Sequence, residues 1–183
     1  TSNRLLSNYL KININDLEKL IKNNYIITHD RSSEILEILQ YNLPKKKKGF
    51  RVVYSPNSDT LTSCLKTLNE NLKKIYVPNK HVHGFIKKRS IKTNASKHLA
   101  KKVVFKVDIR DFFGSINLEM VTETLKNYGF NEDISLAIAK IVTFEDKLVQ
   151  GFHTSPTLAN MCFNNVDLEI AAIDKNIEYT RYA

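Results

Sequence analysis

The sequence predicts an α+β fold that begins with a helical, basic segment. Runs rich in β-branched and aromatic residues alternate with stretches in which apolar residues recur every three or four positions, as they do in strands and helices respectively. No internal repeat or linker interrupts this alternation. The 183 residues, 42% of them hydrophobic, are enough to bury a core, as one domain or as two small lobes.

The first predicted elements are a helix and a hairpin. The motif Asn-Asp-Leu-Glu at 15–18 is typical of a capped helix start, and the helix should end near residues 23–24. Residues 33–41 fit either a helical stripe or an extended strand, and periodicity does not decide between them. The turn-rich tract at 44–49, followed by the strand-like residues 50–54, favours a hairpin with a lysine-rich tip.

Helices are predicted for most of the second half. Leucines at helical spacing between Asp59 and Ile75 predict an amphipathic helix whose apolar face is core. Asn117 and Asn131 are each placed to cap a further helix. Ser155, as N-cap, and Pro156 begin another, which is expected to run to Ala172. Residues 177–183 predict a final strand.

A stretch near the middle of the chain, VVFKVDIRDFFGSI at 103–116, carries the strongest chemical signal. Residues 103–107 predict a strand buried on at least one face, with Asp108 at its end. A carboxylate beside a buried strand needs a cation, hydrogen-bond donors or open solvent to offset its lost hydration. Asp108 is therefore either a ligand for a cation or an acceptor of hydrogen bonds in a tight turn, and this stretch alone leaves both readings open.

The charge balance indicates a polyanionic partner. The chain carries 28 Lys and Arg against 19 Asp and Glu, a net charge of +9, with clusters at 45–48, 73–74, 87–89 and 101–102. Such clusters are either solvated faces or binding surfaces for nucleic acid. The longest apolar runs fall short of the roughly 18 residues that a membrane span needs, and no signal sequence opens the chain. A cytoplasmic location without membrane contact is therefore the expectation.

The cysteines and histidines give weaker signals. Cys64 and Cys162 each lie on the apolar side of a predicted helix, which favours reduced core thiols over a disulfide. The pair His81-x-His83 could bind a metal, but no further ligands follow at suitable spacing. A loop and a short helix beside the Asp108 segment is the more economical interpretation.

Six motifs follow one another along the chain: Arg51 in Phe-Arg-Val-Val-Tyr-Ser-Pro, His83-Gly84-Phe85, Asn94-Ala95-x-x-His98, Asp108 with Phe112-Phe113, Gln150-Gly151 with Ser155-Pro156, and Tyr179-Thr180-Arg181-Tyr182-Ala183. Taken in this order, they resemble the motifs of the reverse transcriptases, in particular the retron type. The Asn-Ala-x-x-His element favours the retron branch. The resemblance covers roughly residues 51–183 and implies a right-hand polymerase architecture, with the helical N-terminal segment and fingers in 1–107 and an incomplete palm in 108–183.

The resemblance also implies a role for each matched residue. Asp108 would be the catalytic carboxylate that binds magnesium, with the Ile109 carbonyl as a further ligand. Around the incoming deoxynucleotide, Arg51 would clamp the triphosphate, the amides of Asp111 and Phe112 would cradle phosphate oxygens, Phe113 would exclude a ribose 2′-hydroxyl, and Gln150 and Gly151 would border the sugar and base. For Phe113 the alternative is an ordinary core ring, for Gln150 a polar loop residue, and for Arg51 a strand-edge cation.

Nucleic-acid contacts are implied elsewhere in the chain. The residues expected to contact template or other RNA are Ser155, Pro156, Lys47, Lys48, Lys87, Lys88, Arg89, Asn94 and His98. The implied partners are an RNA template and primer, their RNA–DNA duplex, a deoxynucleoside triphosphate and a cognate structured non-coding RNA. Two magnesium ions are the implied cofactor.

One departure from the family pattern limits what the chain should do alone. In the family, Tyr-x is followed by Asp-Asp, whereas this sequence ends on Tyr182-Ala183, and the thumb would also lie further along. We therefore expect an inactive fragment of an RNA-directed DNA polymerase linked to phage defence. The alternatives are a reverse-transcriptase-like defence protein with untemplated synthesis and a basic RNA-binding module without chemistry.

Overall fold

The computed structural model of the chain describes residues 2–30, 34–45 and 48–182. In these residues helices and short strands alternate, as the α+β prediction requires. The helices are α1 (Ser2–Leu10), α2 (Ile14–Ile21), α3 (Asp59–Ile75), α4 (Ile91–Ala95), α5 (Leu118–Asn127), α6 (Glu132–Val142), α7 (Ser155–Cys162) and α8 (Asn164–Ala172). The strands are β1 (Ile26–Thr28), β2 (Glu37–Pro44), β3 (Phe50–Pro56), β4 (Thr143–Phe144) and β5 (Lys147–Leu148).

The largest sheet is built on the predicted hairpin. Strand β2 pairs antiparallel with β3 from Ile38 opposite Pro56 to Pro44 opposite Phe50, and β1 joins β2 in parallel. At the tip the Lys45 amide donates to the Gly49 carbonyl at 3.0 Å. The hairpin prediction is thus confirmed. In the region 33–41, which fitted either a helix or a strand, the residues from Glu37 onward form strand β2. Lys46 and Lys47 of the basic tip, and residues 31–33, lie outside the described residues.

Most helix starts follow from local capping. The side chains of Asn117 and Asn131 accept from backbone amides at the starts of α5 and α6, as predicted. Helix α2 begins earlier than predicted, because Asn13 rather than Asn15 is its cap. Helix α1 was not predicted. Helix α3 has the predicted bounds, although Ile75 at its end is exposed rather than core.

The helix predicted from Ser155 to Ala172 is two helices. Thr154 precedes the first helical residue, and the Ser155 hydroxyl donates to the Val149 carbonyl instead of capping the helix. The break falls at Phe163, whose backbone (φ −89°, ψ −2°) departs from helical values. Periodicity missed this break because apolar residues continue at helical spacing on both sides of it.

The strand predicted over residues 103–107 is wrong. This segment joins no sheet, and Val103, Phe105 and Val107 are 72%, 92% and 85% exposed. β-Branched and aromatic residues favour extended backbone, but a strand also needs a neighbouring backbone to pair with. None of the described residues lies beside it as a partner strand. Asp108 is consequently exposed rather than set against a buried strand.

The strand predicted over residues 177–183 is reduced to one bridge. Arg181 pairs in parallel with Val82, and the rest of the segment that the structure describes has no ladder. The bridge consists of two hydrogen bonds, from the Arg181 amide to the His81 carbonyl at 2.8 Å and from the His83 amide to the Arg181 carbonyl at 2.7 Å. This contact fixes the terminal segment against the loop before α4.

One hydrophobic cluster connects most of the helices with strand β2. It contains buried residues from α1, α2, β2, α3, α5, α6 and α7, so segments before and after position 108 in the sequence share one core. The Tyr25 hydroxyl donates to the Ile141 carbonyl at 2.6 Å inside this cluster. Cys64 is buried and Cys162 half-buried, both as free thiols, as predicted. In the described ranges no helix has both the length and the apolar character to cross a membrane.

Candidate active site

A cleft of about 910 Å³ opens between the β2–β3 hairpin, the turn after Asp108 and the β4–β5 hairpin. Its size is in the range of small-molecule sites. Seven of the residues assigned from sequence to the metal and nucleotide line it: Arg51, Asp108, Ile109, Asp111, Phe112, Phe113 and Gln150. The fold therefore brings together side chains that come from three separate parts of the sequence.

Gly114 leaves room for a neighbouring side chain in the turn after Asp108. A Cβ on Gly114 would lie 2.7 Å from Cγ of Asp111, so glycine leaves the space that the Asp111 carboxylate occupies. The Ser115 amide donates to the Asp111 carbonyl at 2.9 Å, and the Ser115 hydroxyl donates to the Phe112 carbonyl at 2.8 Å. These bonds turn the chain so that Asp108 and Asp111 both line the cleft.

The two phenylalanines of this turn have different neighbours. The ring centroid of Phe113 lies 5.7 Å from that of Phe112 and 6.4 Å from that of Phe85, which also lines the cleft. Phe112 packs edge-to-face on Phe163, with 5.4 Å between centroids. Both phenylalanine rings of the turn are half-buried. Phe113 thus stands at the cleft, and Phe112 connects it to the protein interior.

The hairpin side of the cleft depends on Gly151. Its φ is +113°, and a Cβ there would overlap the carbonyl oxygen of Tyr54 and lie 2.7 Å from Cγ1 of Val53. This close approach allows the Tyr54 amide to donate to the Gln150 carbonyl at 2.8 Å. Gly151 itself is not among the lining residues. Its contribution in the structure is to let β3, which carries Arg51, lie directly against the Gln150 segment.

Both signs of charge line the cleft. The cationic lining residues are Lys45, Arg51, Arg110 and Lys147, and the carboxylates are Asp108, Asp111 and Glu145. Burial, and then the negative charge of Glu145, raise the pKa of the Tyr54 hydroxyl, so that group stays protonated. Lys45 was predicted only as part of the basic cluster 45–48, and Arg110, Lys147 and Glu145 were not assigned from the sequence, since no motif gives them a role. Only the fold places them here.

Two carboxylates at the cleft are ligands of the kind that magnesium binds. Carboxylate oxygens are the ligands that magnesium prefers, and Asp108 and Asp111 offer them at the same cleft. Within the described part of the chain, however, no group of three or more His, Cys, Asp or Glu residues could hold a metal ion. The residues present therefore fit magnesium as partial ligands that need further anionic partners.

The histidine pair has structural contacts instead of a common ligand. Nδ1 of His81 lies 3.0 Å from the Tyr179 carbonyl oxygen, and Nδ1 of His83 lies 2.9 Å from Oγ1 of Thr93. Burial, and then the charge of Arg89, lower the pKa of His83. The two imidazoles thus anchor the loop before α4.

The described residues that were assigned to template or RNA are not among those that line the cleft. Several are held by the fold itself: the Arg89 guanidinium donates to the Asn79 and Val82 carbonyls, and Nε2 of His98 lies 2.6 Å from Oγ1 of Thr180. Ser155 is buried, whereas Pro156 and Asn94 are half-buried. The exposed residues of this set are Lys48, Lys87 and Lys88, and Lys47 lies outside the described residues.

A small-molecule-sized cleft lined by several cations and carboxylates carries the groups that phosphorylated ligands and divalent cations bind in proteins. The protein family described as "Reverse transcriptase (RNA-dependent DNA polymerase)" matches residues 43–183. The chain belongs to the reverse transcriptase family.

Several relatives that it matches are of the retron type. The chain is 27% identical to the retron Mx65 reverse transcriptase of Myxococcus xanthus, over 85% of the chain and 41% of that protein. It is 31% identical to the retron Ec86 reverse transcriptase of Escherichia coli, over 78% of the chain and 46% of that protein. For the retron Ec73 enzyme of the same bacterium the values are 30%, 90% and 58%. The chain therefore spans about half the length of these relatives.

Proposed function

We propose that this chain provides the fingers, in residues 1–107, and part of the palm, in 108–183, of a retron-type RNA-directed DNA polymerase. The observation that carries the proposal is the convergence of Arg51, the turn at 108–113 and Gln150 around one cleft of nucleotide size. These three segments follow the family's motif order, and the fold makes them neighbours.

Each of these residues is suited to hold a deoxynucleoside triphosphate. The fixed guanidinium fork of Arg51 matches phosphate oxygens, and Lys45, on the same hairpin, adds a second positive charge. The backbone of Asp111 and Phe112 lies at the cleft, where amides can donate to the phosphates. Gln150 also lines the cleft and offers an amide to the sugar or base, with Gly151 next to it.

Phe113 is placed to select the sugar. A ring that fills the space beside C2′ accepts deoxyribose and clashes with a 2′-hydroxyl, so selection arises from repulsion. Its partners Phe112 and Phe85 restrict the movement of the ring. Without such restriction the ring could move aside, and the discrimination would be lost.

Asp108, with the Ile109 carbonyl, would hold magnesium together with ligands that the described residues do not include. Paired magnesium ions activate the primer 3′-hydroxyl and stabilise the leaving pyrophosphate. Because two divalent cations at roughly 3.5–4 Å repel each other strongly, one or two carboxylates are too few to hold them. We therefore propose that the chain by itself does not polymerise.

The partners in this proposal are an RNA template, its primer and a structured RNA. Exposed Lys48, Lys87 and Lys88 offer positive charge without base-specific hydrogen-bonding groups, which suits contacts to the phosphate backbone. Arg89 and His98 would support this surface indirectly, because their side chains bind within the fold.

The deciding experiment uses the chain, the protein continued past Ala183 through the family's Asp-Asp and thumb, and the Asp108→Asn variant of that continued protein. Incorporation of labelled deoxynucleotides on a primed RNA template is measured with and without magnesium. We expect synthesis in the continued protein alone, and only with magnesium. Synthesis by the Asn variant would contradict the assignment of Asp108, and synthesis by the chain would contradict the need for further ligands.

The net charge of +9 and the exposed lysines favour one other candidate, a basic RNA-binding module without chemistry. The same experiment separates the two candidates, because the continued form of such a module would bind RNA but make no DNA. A reaction without template tests untemplated synthesis. The proposed link to phage defence is tested by plating phage on cells that carry the gene with and without Asp108→Asn, where equal plating would refute it.

A further inference from the structure

A buried ion pair joins α8 to the terminal segment of the chain. The Arg181 guanidinium donates from Nε to Oδ1 of Asp167 and from Nη2 to Oδ2, both at 2.9 Å. The Tyr179 hydroxyl donates to the same Oδ1 at 2.7 Å. Asp167 is 0% exposed and Arg181 6% exposed. None of the sequence motifs assigned a role to Asp167, and Arg181 was noted only as part of the final motif.

Stability alone does not account for such a pair. Two charges lose their hydration on burial, and replacing a buried ion pair with apolar residues of similar volume is often neutral or stabilising. What the ion pair provides over an apolar contact is a fixed orientation, since the bidentate geometry allows only one placement of the guanidinium plane. The two backbone hydrogen bonds between Arg181 and the residues beside Val82 fix its main chain as well.

The guanidinium held in this way contacts the cleft turn. Its Cζ lies 5.5 Å from the ring centroid of Phe112 and 5.1 Å from that of Phe163. Phe112 and Phe163 are themselves in edge-to-face contact. Phe112 therefore packs against a charged plane and a second ring, both of which belong to the palm part of the chain.

These contacts continue to the cleft. Phe112 packs on Phe113, and Phe113 packs on Phe85. An unbroken series of contacts thus runs from the buried Asp167 carboxylate, through Arg181 and Phe112, to the ring that lines the nucleotide cleft. A shift of the guanidinium would change the packing of Phe112 and hence the placement of Phe113.

We propose that Asp167 and Arg181 are positioning residues, which set the placement of Phe113 at the cleft through the ring of Phe112 and thereby strengthen selection against ribonucleotides. The predicted effect on ribonucleotide selection rests on the proposed function. The predicted effect on the placement of Phe113 does not, because that placement can be measured in the chain itself.

The test compares the parent with the double variant Asp167→Leu/Arg181→Met, which removes both charges and leaves neither one buried alone. Urea unfolding should give a midpoint close to that of the parent, as is usual when a whole buried pair is replaced. Arg181→Lys is the second variant: it keeps a positive charge beside Asp167 but lacks the planar fork that stacks on a ring, and it serves if the double variant does not fold.

The first readout needs no activity. Fluorine NMR of 4-fluorophenylalanine at position 113 should show a changed shift or a broader line in the variants. The same label at Phe105, which is 92% exposed and is not among the residues that line the cleft, should not change. An unchanged resonance at position 113 would overturn the proposal.

The second readout is the ratio of kcat/KM for deoxynucleotides to that for ribonucleotides, measured in the continued protein. We expect it to fall about 2- to 30-fold, the range that a partly desolvated cation–π contact spans. Combining the variant with Phe112→Leu should add little further loss, because both changes interrupt the same series of contacts. An unchanged ratio in a folded, active variant would refute the role in selection, whereas an inactive parent with a shifted resonance would refute the proposed function alone.

Discussion

Replacing Gly151 with alanine should separate the β2–β3 hairpin from the rest of the cleft. Two costs are expected. Forcing an L side chain into a backbone with positive φ costs about 1–2 kcal/mol, and the new Cβ overlaps the Tyr54 carbonyl, which belongs to β3 and cannot rotate away as a side chain would.

The second cost can be worked out from the contacts that a displaced β3 would lose. The hydrogen bond from the Tyr54 amide to the Gln150 carbonyl contributes about 1 kcal/mol. The edge-to-face contact of Tyr54 with Phe144, at 5.5 Å between centroids, contributes about 0.5–1.5 kcal/mol. Adding these to the backbone strain gives a loss of about 2.5–4.5 kcal/mol in the free energy of unfolding for Gly151→Ala.

Gly129 provides a matched control. Its φ is +93°, and nothing lies within 4 Å of the Cβ that alanine would add. Gly129→Ala should therefore cost only the backbone strain, about 1–2 kcal/mol. Urea unfolding of the chain, followed by circular dichroism, measures both variants. Equal losses for the two variants would show that β3 does not approach Gly151 as closely as the structure has it.

Three further predictions concern the cleft, the basic surface and the buried histidine. Phe113→Ala in the continued protein should admit ribonucleotides, while synthesis from deoxynucleotides survives. Primer extension with ribonucleotides alone measures this. If the variant excludes ribonucleotides as well as the parent does, Phe113 is an ordinary core ring and does not select the sugar. RNA binding by the chain should weaken steeply as the salt concentration rises. The double variant Lys87→Gln/Lys88→Gln should lower the slope of log affinity against log salt by about 1–2, whereas the control Lys19→Gln/Lys22→Gln should not. Filter binding that is independent of salt would exclude phosphate contacts. Burial, and then the charge of Arg89, lower the pKa of the His83 imidazole from 6.5, so as pH falls the unfolded chain is protonated at this residue before the folded chain is. The free energy of unfolding should therefore decrease as pH drops through about 6.5, and His83→Gln should reduce that decrease. Equal pH dependence of urea unfolding in parent and variant would contradict this.

Several features of the protein could be predicted from sequence because their causes are local. Asn117 and Asn131 cap helices through bonds to amides three residues ahead, so neighbouring residues suffice to decide them. The hairpin follows from a turn-rich tract between two strand-like runs. The order of the motifs indicated the reverse transcriptase family, which the comparison with known proteins confirmed. In each case the deciding interactions lie within a few residues, or in a pattern that the chain displays directly.

Other features were decided only by which segments meet in space. Residues 103–107 have the composition of a strand, but composition does not supply the neighbouring backbone that a sheet requires. The sequence indicated that Arg51, Asp108 and Gln150 belong to one site, but their common cleft depends on the close approach of β3 to Gly151. Asp167 and Arg181 are 14 positions apart, and no local signal distinguishes them from charged residues on a solvated face. Their ion pair forms because the bridge at Val82 holds the terminal segment beside α8, and an interaction of that kind depends on the path of the whole chain.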